Sequence, residues 1–273
     1  MLTEWILFLL IGLTAGTLGS LIGLGGGIIT VPALLLLASL FPELNYMTPQ
    51  LAVGTSLVLV IITALSSTLS FTRQKRVDFR SGWVFFLASG PGAILGAYLT
   101  HFFNVNMFYV SFGCIMILIA GILTFRDRLK SRSVQWSVKR EFTDLEGNVH
   151  RYGYHRPTAW IVSFIVGIIS GLFGIGGGAL LVPMMVLLFR FPPHVATSTS
   201  MFIIFLSAVL GSITHFTQGN IDWQAVLLIA PGAWVGGKLG AWISRKMSGR
   251  ALLVALRLAI VMVAFRMMIQ GFS

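Results

Sequence analysis

Ten apolar runs, forming two copies of one pattern with a triple glycine cutting each copy, constrain this chain more than any other feature. They fall at 4–22, 28–41, 50–72, 82–101 and 105–125, and again at 157–173, 179–191, 194–217, 224–244 and 250–270. Several are free of charge over the ~20 residues a helix needs to cross a bilayer. Hydrophobic residues make up 56% and charged ones 10%, where a soluble domain is about a quarter charged. Lipid offers the backbone no hydrogen bonds, so runs of this kind become helices. The class is an all-α polytopic membrane protein. Its start, Met1-Leu2-Thr3-Glu4-Trp5, has no basic region and no small-residue cleavage site, so the first run is expected to stay as a membrane segment.

The duplication is legible residue by residue. Gly23-Leu24-Gly25-Gly26-Gly27 before Ile28–Pro32 matches Gly174-Ile175-Gly176-Gly177-Gly178 before Ala179–Pro183. Pro49–Ser56 matches Pro193–Ser200, in register to Asp78 and Asp222, and Pro91-Gly92-Ala93 matches Pro231-Gly232-Ala233. This divides the chain into a first repeat, 1–126, a basic linker, 127–156, and a second repeat, 157–273. Were each glycine break merely a kink in one crossing, the halves would be parallel, with four spans each. A chain folding back at the break gives five segments per half and an inverted second half. That model puts Arg73, Lys75, Arg76, Arg80, the linker's cations, Arg190, Arg245, Lys246 and Arg250 on one face, and Glu4, Glu43 and Asp222 on the other. Basic residues concentrate on the cytoplasmic side of membrane proteins, so charge favours inverted repeats. Each is then a glycine-broken helical hairpin plus three transmembrane helices: eight conventional spans, or ten segments. The runs at 28–41 and 179–191 are short, about 20 Å of helix, and suit re-entrant arms.

The net charge of +11 lies mostly in loops and linker, which is a membrane pattern and excludes nucleic acid as the partner. In the linker, Val134–Lys139 and Val149–Tyr154 flank Glu146-Gly147-Asn148 and predict a cytoplasmic β-hairpin whose aromatic residues pack locally. The single cysteine, Cys114, is expected as a small buried apolar side chain.

All eight acidic residues (Glu4, Glu43, Asp78, Asp127, Glu141, Asp144, Glu146 and Asp222) lie in loops, the linker or segment ends. A cation carrier needs carboxylates within the membrane to offset dehydration. Lys238, Arg257 and Arg266 do fall in apolar segments, so the intramembrane charge is positive and suits an anion. The glycine breaks agree. A helix starting at Ile28 or Ala179 presents unpaired N–H groups and about half a positive charge. Matching breaks in two halves are the best sequence pointer to a carrier's site. The candidate substrate-binding set is Gly25, Gly26, Gly27, Gly176, Gly177 and Gly178, the hydroxyls of Thr55, Ser56, Thr199 and Ser200, and Lys238 and Arg257. The opposing reading is that the glycines only permit close helix crossing, the hydroxyls bond back to their own helix and the cations snorkel. Pro91-Gly92 and Pro231-Gly232 are candidate hinges, or fixed bends. His215, the one histidine well inside a span, is a candidate proton relay or a packing residue. There is no Walker A motif, no His-Glu-x-x-His and no βαβ context for the glycines, so neither enzyme activity, cofactor nor metal is expected.

Taken together, Gly16–Pro32 (GTLGSLIGLGGGIITVP), its echo Gly167–Pro183, the paired Thr-Ser and the repeated Pro-Gly-Ala resemble the TauE/SafE sulfite exporter family, also called TSUP after 4-toluene sulfonate uptake permeases. The resemblance covers both halves but not the linker. It implies an inner-membrane permease of a bacterium or archaeon for sulfite, sulfoacetate or other organosulfonates, or thiosulfate, with the family's glycine-break motif at Gly23–Gly27 and Gly174–Gly178. The implied partners are the sulfur oxyanion, the bilayer and, as an open case, a second copy in a homodimer. The competing readings are a passive anion channel and a non-transporting membrane scaffold.

Overall fold

The structure is a computed structural model describing residues 2–125, 136–143, 149–248 and scattered positions between 251 and 269. The first repeat contains α1 (Leu2–Ile22), α2 (Gly27–Leu40), α3 (Pro49–Arg73), α4 (Phe79–Leu99) and α5 (Val105–Phe125). The hairpin strands β1 (Val138–Thr143) and β2 (Val149–Tyr154) follow, then α6 (Arg156–Phe173), α7 (Gly178–Leu188), α8 (Pro193–Thr217) and α9 (Trp223–Lys246). Six of the described helices (α1, α3, α4, α6, α8 and α9) are long and apolar enough to cross a membrane, whereas α2 and α7 are shorter. The apolar runs and the helices agree closely because each run is bounded by a residue that stops or starts a helix. Asp78 and Asp222 begin α4 and α9 by accepting the amides of Ser81 and of Gln224 and Ala225. Pro49 and Pro193 open α3 and α8. Gly174, at φ +68°, closes α6 in the left-handed conformation.

Packing runs between the repeats rather than within them. α1 lies along α9, and α6 along α4. Both seams are made of small residues. A Cβ on Gly232 would stand 2.3 Å from Leu9 O, one on Gly236 2.5 Å from Leu13 O, and one on Gly240 2.2 Å from Thr17 O. At the other seam a Cβ on Gly92 would stand 2.4 Å from Phe164 O and one on Gly96 2.0 Å from Ile168 O. Residue numbers rise together along both seams, so the helices within each pair are parallel. Such close backbone approach is how helices associate where lipid removes the hydrophobic drive.

α3 and α8 form the centre, with 72% of their apolar windows buried against 44% for α1, α4, α6 and α9. They pack antiparallel: Gly54 meets His215, Leu57 meets Gly211, and Val60 and Ile204 share one level. The outer helices turn large apolar side chains outward, among them Trp5, Leu87, Ile161, Leu227 and Trp242.

Two expectations need correction. Cys114 is exposed. α5 buries Phe108, Phe112 and Met116, spaced four apart, which puts Cys114 on the opposite face. The hairpin forms, with Val138 paired to Tyr154, but its first strand starts four residues later than predicted and the Glu146–Asn148 turn lies outside the described residues. It is docked rather than free. Gly153 N donates to Phe189 O, the Tyr152 ring lies 4.3 Å from that of Phe191, and Tyr154 packs on Phe85.

Candidate functional site

Each glycine break is a corner at which the helix stops and restarts. In the first, Gly23, Gly25 and Gly26 take φ of +84°, +81° and +93°; in the second, Gly174, Gly176 and Gly177 take +68°, +79° and +75°. A side chain with a Cβ resists this conformation by about 1–2 kcal/mol per residue. Gly26 and Gly177 then become the N-caps of α2 and α7. Their carbonyls accept the first helical bonds, from Ile29 and Thr30 and from Leu180 and Leu181. The amides of Gly27, Ile28, Gly178 and Ala179 have no acceptor among the described residues.

The two corners touch. A Cβ on Gly27 would lie 2.0 Å from Gly174 O, and one on Gly178 2.0 Å from Gly23 O. Gly25 and Gly176 face the same pair of side chains, Val60 and Ile204. All six candidate glycines are buried. The fold thus gathers four N–H donors and two helix N-termini at its centre, with the described carboxylates kept to helix ends, the α2–α3 connection and the hairpin.

The four candidate hydroxyls tie one repeat to the other. Ser56 Oγ donates to Gly174 O at 3.0 Å, and Ser200 Oγ to Gly23 O at 3.1 Å. Thr55 Oγ1 accepts Asp222 N at 2.9 Å, and Thr199 Oγ1 accepts Asp78 N at 3.0 Å. The serines therefore hold the corners, while the threonines hold the caps of α9 and α4. Lys238 stands apart: it is exposed on α9, its Nζ 5.3 Å from the centre of the Trp234 ring. Arg257 and Arg266 lie outside the described residues. α4 and α9 run unbroken through Pro91 and Pro231, which are exposed, and Gly92 and Gly232 are buried in the seams. His215 is fully buried, Nε2 3.3 Å from Gly171 O and Nδ1 without a partner.

Reasoning from the repeated motif missed three serines. Ser89, Ser170 and Ser207 line a small void of about 10 Å³ beside Gly176 and Gly177. Ser89 and Ser207 bond to each other at 2.7 Å, whereas Ser170 Oγ, on a residue 2% exposed, has no partner. The serine lining is one-sided. At the matching places of the other half stand Ile229, Gly19 and Thr63. The signal was available as a difference between repeats, Ser170 against Gly19, rather than as a likeness.

A model of the family described as sulfite exporter TauE/SafE matches residues 8–267. The chain belongs to the TauE/SafE family. Among its relatives in that transporter group, the chain is 46% identical to the probable membrane transporter protein YunE of Bacillus subtilis, over 98% of both chains. It is 27% identical to the probable membrane transporter protein YjnA of the same organism, over 89% of this chain and 92% of the relative. A probable membrane transporter protein of Xylella fastidiosa is 25% identical over 88% of this chain and 83% of its own. No solved structure matches. TauE/SafE membership makes the chain a membrane transporter, and the apolar outer surface of its helices fits that setting.

Proposed function

We propose that this TauE/SafE transporter is an inner-membrane permease for small sulfur-containing oxyanions (sulfite, thiosulfate or organosulfonates), which it binds between the two glycine corners. The observation that carries this is the meeting of two helix N-termini at one buried point. Each supplies unpaired N–H groups, and Ser170 adds a free hydroxyl from the side. A three-oxygen anion has the acceptors to use them. A helix N-terminus favours an anion by about 0.3–1 kcal/mol when exposed and up to ~2 when buried. Two termini with several N–H bonds supply affinity without a fixed cation, so the anion can also leave.

The repeats are inverted in this reading. The antiparallel α3–α8 pair and the exchange of α1 and α6 between α9 and α4 are what a two-fold axis through the corners produces. Eight conventional spans follow, with the linker cytoplasmic. A void admitting one water cannot hold an oxyanion, so the corners must part to load it. Alternating access moves one repeat against the other along the glycine seams, with Pro91-Gly92 and Pro231-Gly232 in the moving helices.

Counterflow in proteoliposomes tests the proposal. Vesicles preloaded with unlabelled sulfite should accumulate labelled sulfite transiently and saturably, and should not do so for potassium. Gly177→Leu, which fills the void, should abolish it, and Ser170→Ala should raise the half-saturating concentration with little loss of stability. Current without counterflow would make the chain a channel and refute the carrier.

A further inference from the structure

At the end where α3 and α9 finish and α8 begins, the α3–α4 loop and the linker hairpin enclose a cavity of about 240 Å³. Lys75, Arg76, Arg140, Asp78, Glu141 and Tyr152 line it. Its carboxylates are already engaged. Asp78 accepts Ser81 N, Ser81 Oγ and, at 3.1 Å, the Tyr152 hydroxyl, with Arg140 Nε 3.9 Å away. Glu141 takes Arg151 at 3.0 Å. Lys75 and Arg76 have no carboxylate partner among the described residues.

Arg76 is the unusual member. It is half-buried, its Nη1 is shielded from solvent with no acceptor, and a second cation, Arg245, acts on it. Burial and that neighbour both lower its pKa from the ordinary value. The general preference for basic residues on the cytoplasmic face explains exposed cations such as Arg73 and Arg80. It does not explain a guanidinium turned inward, because a buried charge without a partner is costly.

Unpartnered polar atoms continue inward from Arg76. His194 Nδ1 and Thr197 Oγ1 are both buried and unbonded, and Thr197 packs against Gly23 in the first glycine corner. The matching positions of the other repeat carry different residues. Gln50 and Val53 stand where His194 and Thr197 do, and Gln50 is satisfied by Thr100 O and Phe103 O. Gly219 and Asn220 replace Lys75 and Arg76.

We infer that the cavity between the α3–α4 loop and the docked hairpin is an anion-loading site, in which Arg76 and Lys75 collect a small oxyanion and pass it along Thr197 to the glycine corners. This rests on the permease reading for its ligand, the same small oxyanion class, but the site has its own test. Calorimetric titration of thiosulfate onto Gly177→Leu protein in neutral detergent isolates it, since the central void is plugged. Saturable binding should appear there and weaken roughly tenfold or more on adding Arg76→Gln, with partial recovery in Arg76→Lys, the loss expected for a hydrogen bond to a charged group. Wild-type protein titrated alongside guards against a folding defect in Gly177→Leu. In liposomes, Arg76→Gln should raise the half-saturating concentration for equilibrium exchange by a similar factor.

Binding that is unchanged by Arg76→Gln overturns the site, whatever the transport result. So does Arg76-dependent retention of phosphatidylglycerol, seen by native mass spectrometry, that thiosulfate does not displace, because the cavity would then hold a lipid headgroup. Arg76-dependent binding with no exchange of any anion keeps the site and sinks the permease reading instead.

Discussion

Adding one methyl group at the contact between the corners gives the sharpest mutational test. Gly27 and Gly178 both have helical φ, so alanine is not strained there and gains up to ~1 kcal/mol of helix preference over glycine. The obstacle is space. The new Cβ would stand 2.0 Å from the carbonyl oxygen of Gly174 or of Gly23. A carbon rests about 3.3 Å or more from a carbonyl oxygen, so the corners must separate by roughly 1.3 Å. Overpacking of this kind costs about 1–3 kcal/mol. If transport passes through the closed arrangement, its population falls roughly 5- to 150-fold, at ~1.4 kcal/mol per factor of ten. Gly27→Ala and Gly178→Ala should therefore slow sulfite counterflow by that range, with only a modest drop in unfolding temperature in detergent. Gly121→Ala, at a position with nothing within 4 Å of the added Cβ, is the control and should transport normally. Wild-type rates and unfolding temperatures in both corner variants would refute the contact.

Three further outcomes follow from the same geometry. Ser56→Ala and Ser200→Ala each remove one bond between repeats and should each cost about 0.5–1.5 kcal/mol in denaturant or thermal unfolding; no change in either would make those bonds incidental. The Tyr46 hydroxyl donates to Asp222 at 2.7 Å, and burial first, then that carboxylate, raise its pKa to about 12. Its folded pKa lies above the unfolded value of ~10, so its contribution is complete below pH ~10 and fades as pH rises towards 12. Stability measured against pH should fall less steeply over that window in Tyr46→Phe, and the effect is small because Tyr46 is half exposed. In a Cys114→Ser background, Lys75→Cys and Thr217→Cys should react with an impermeant thiol reagent from opposite faces of the membrane; labelling from one face would contradict the inversion.

How much could be read in advance depended on whether the information was local. Hydrocarbon allows few ways to satisfy a backbone, so the bounds of α1 to α9 followed from where charge, proline and glycine fall. Helix faces were harder. Cys114 looked buried because its run is apolar all round, and in lipid an apolar face can just as well point outward. Lys238 looked central because position along a helix says nothing about which side of it a residue occupies, and Gly237 and Gly240 take the inward side. Gly92 and Gly232 drew attention as hinge residues, while the spacing Gly92-x-x-x-Gly96 and Gly232-x-x-x-Gly236 carried a second message about close helix packing. The serine-lined void was out of reach of motif matching. Its three serines come from α4, α6 and α8, and the other repeat does not reproduce them.

The account stands on an oxyanion sitting where the two corners meet, and a map of the protein saturated with thiosulfate examines that directly. Density within hydrogen-bonding distance of the Gly178 and Ala179 amides and of Ser170 Oγ, with the corners drawn apart around it, is the predicted result. Corners still in contact, with the anion held only on the outer surface near Lys238, would contradict it.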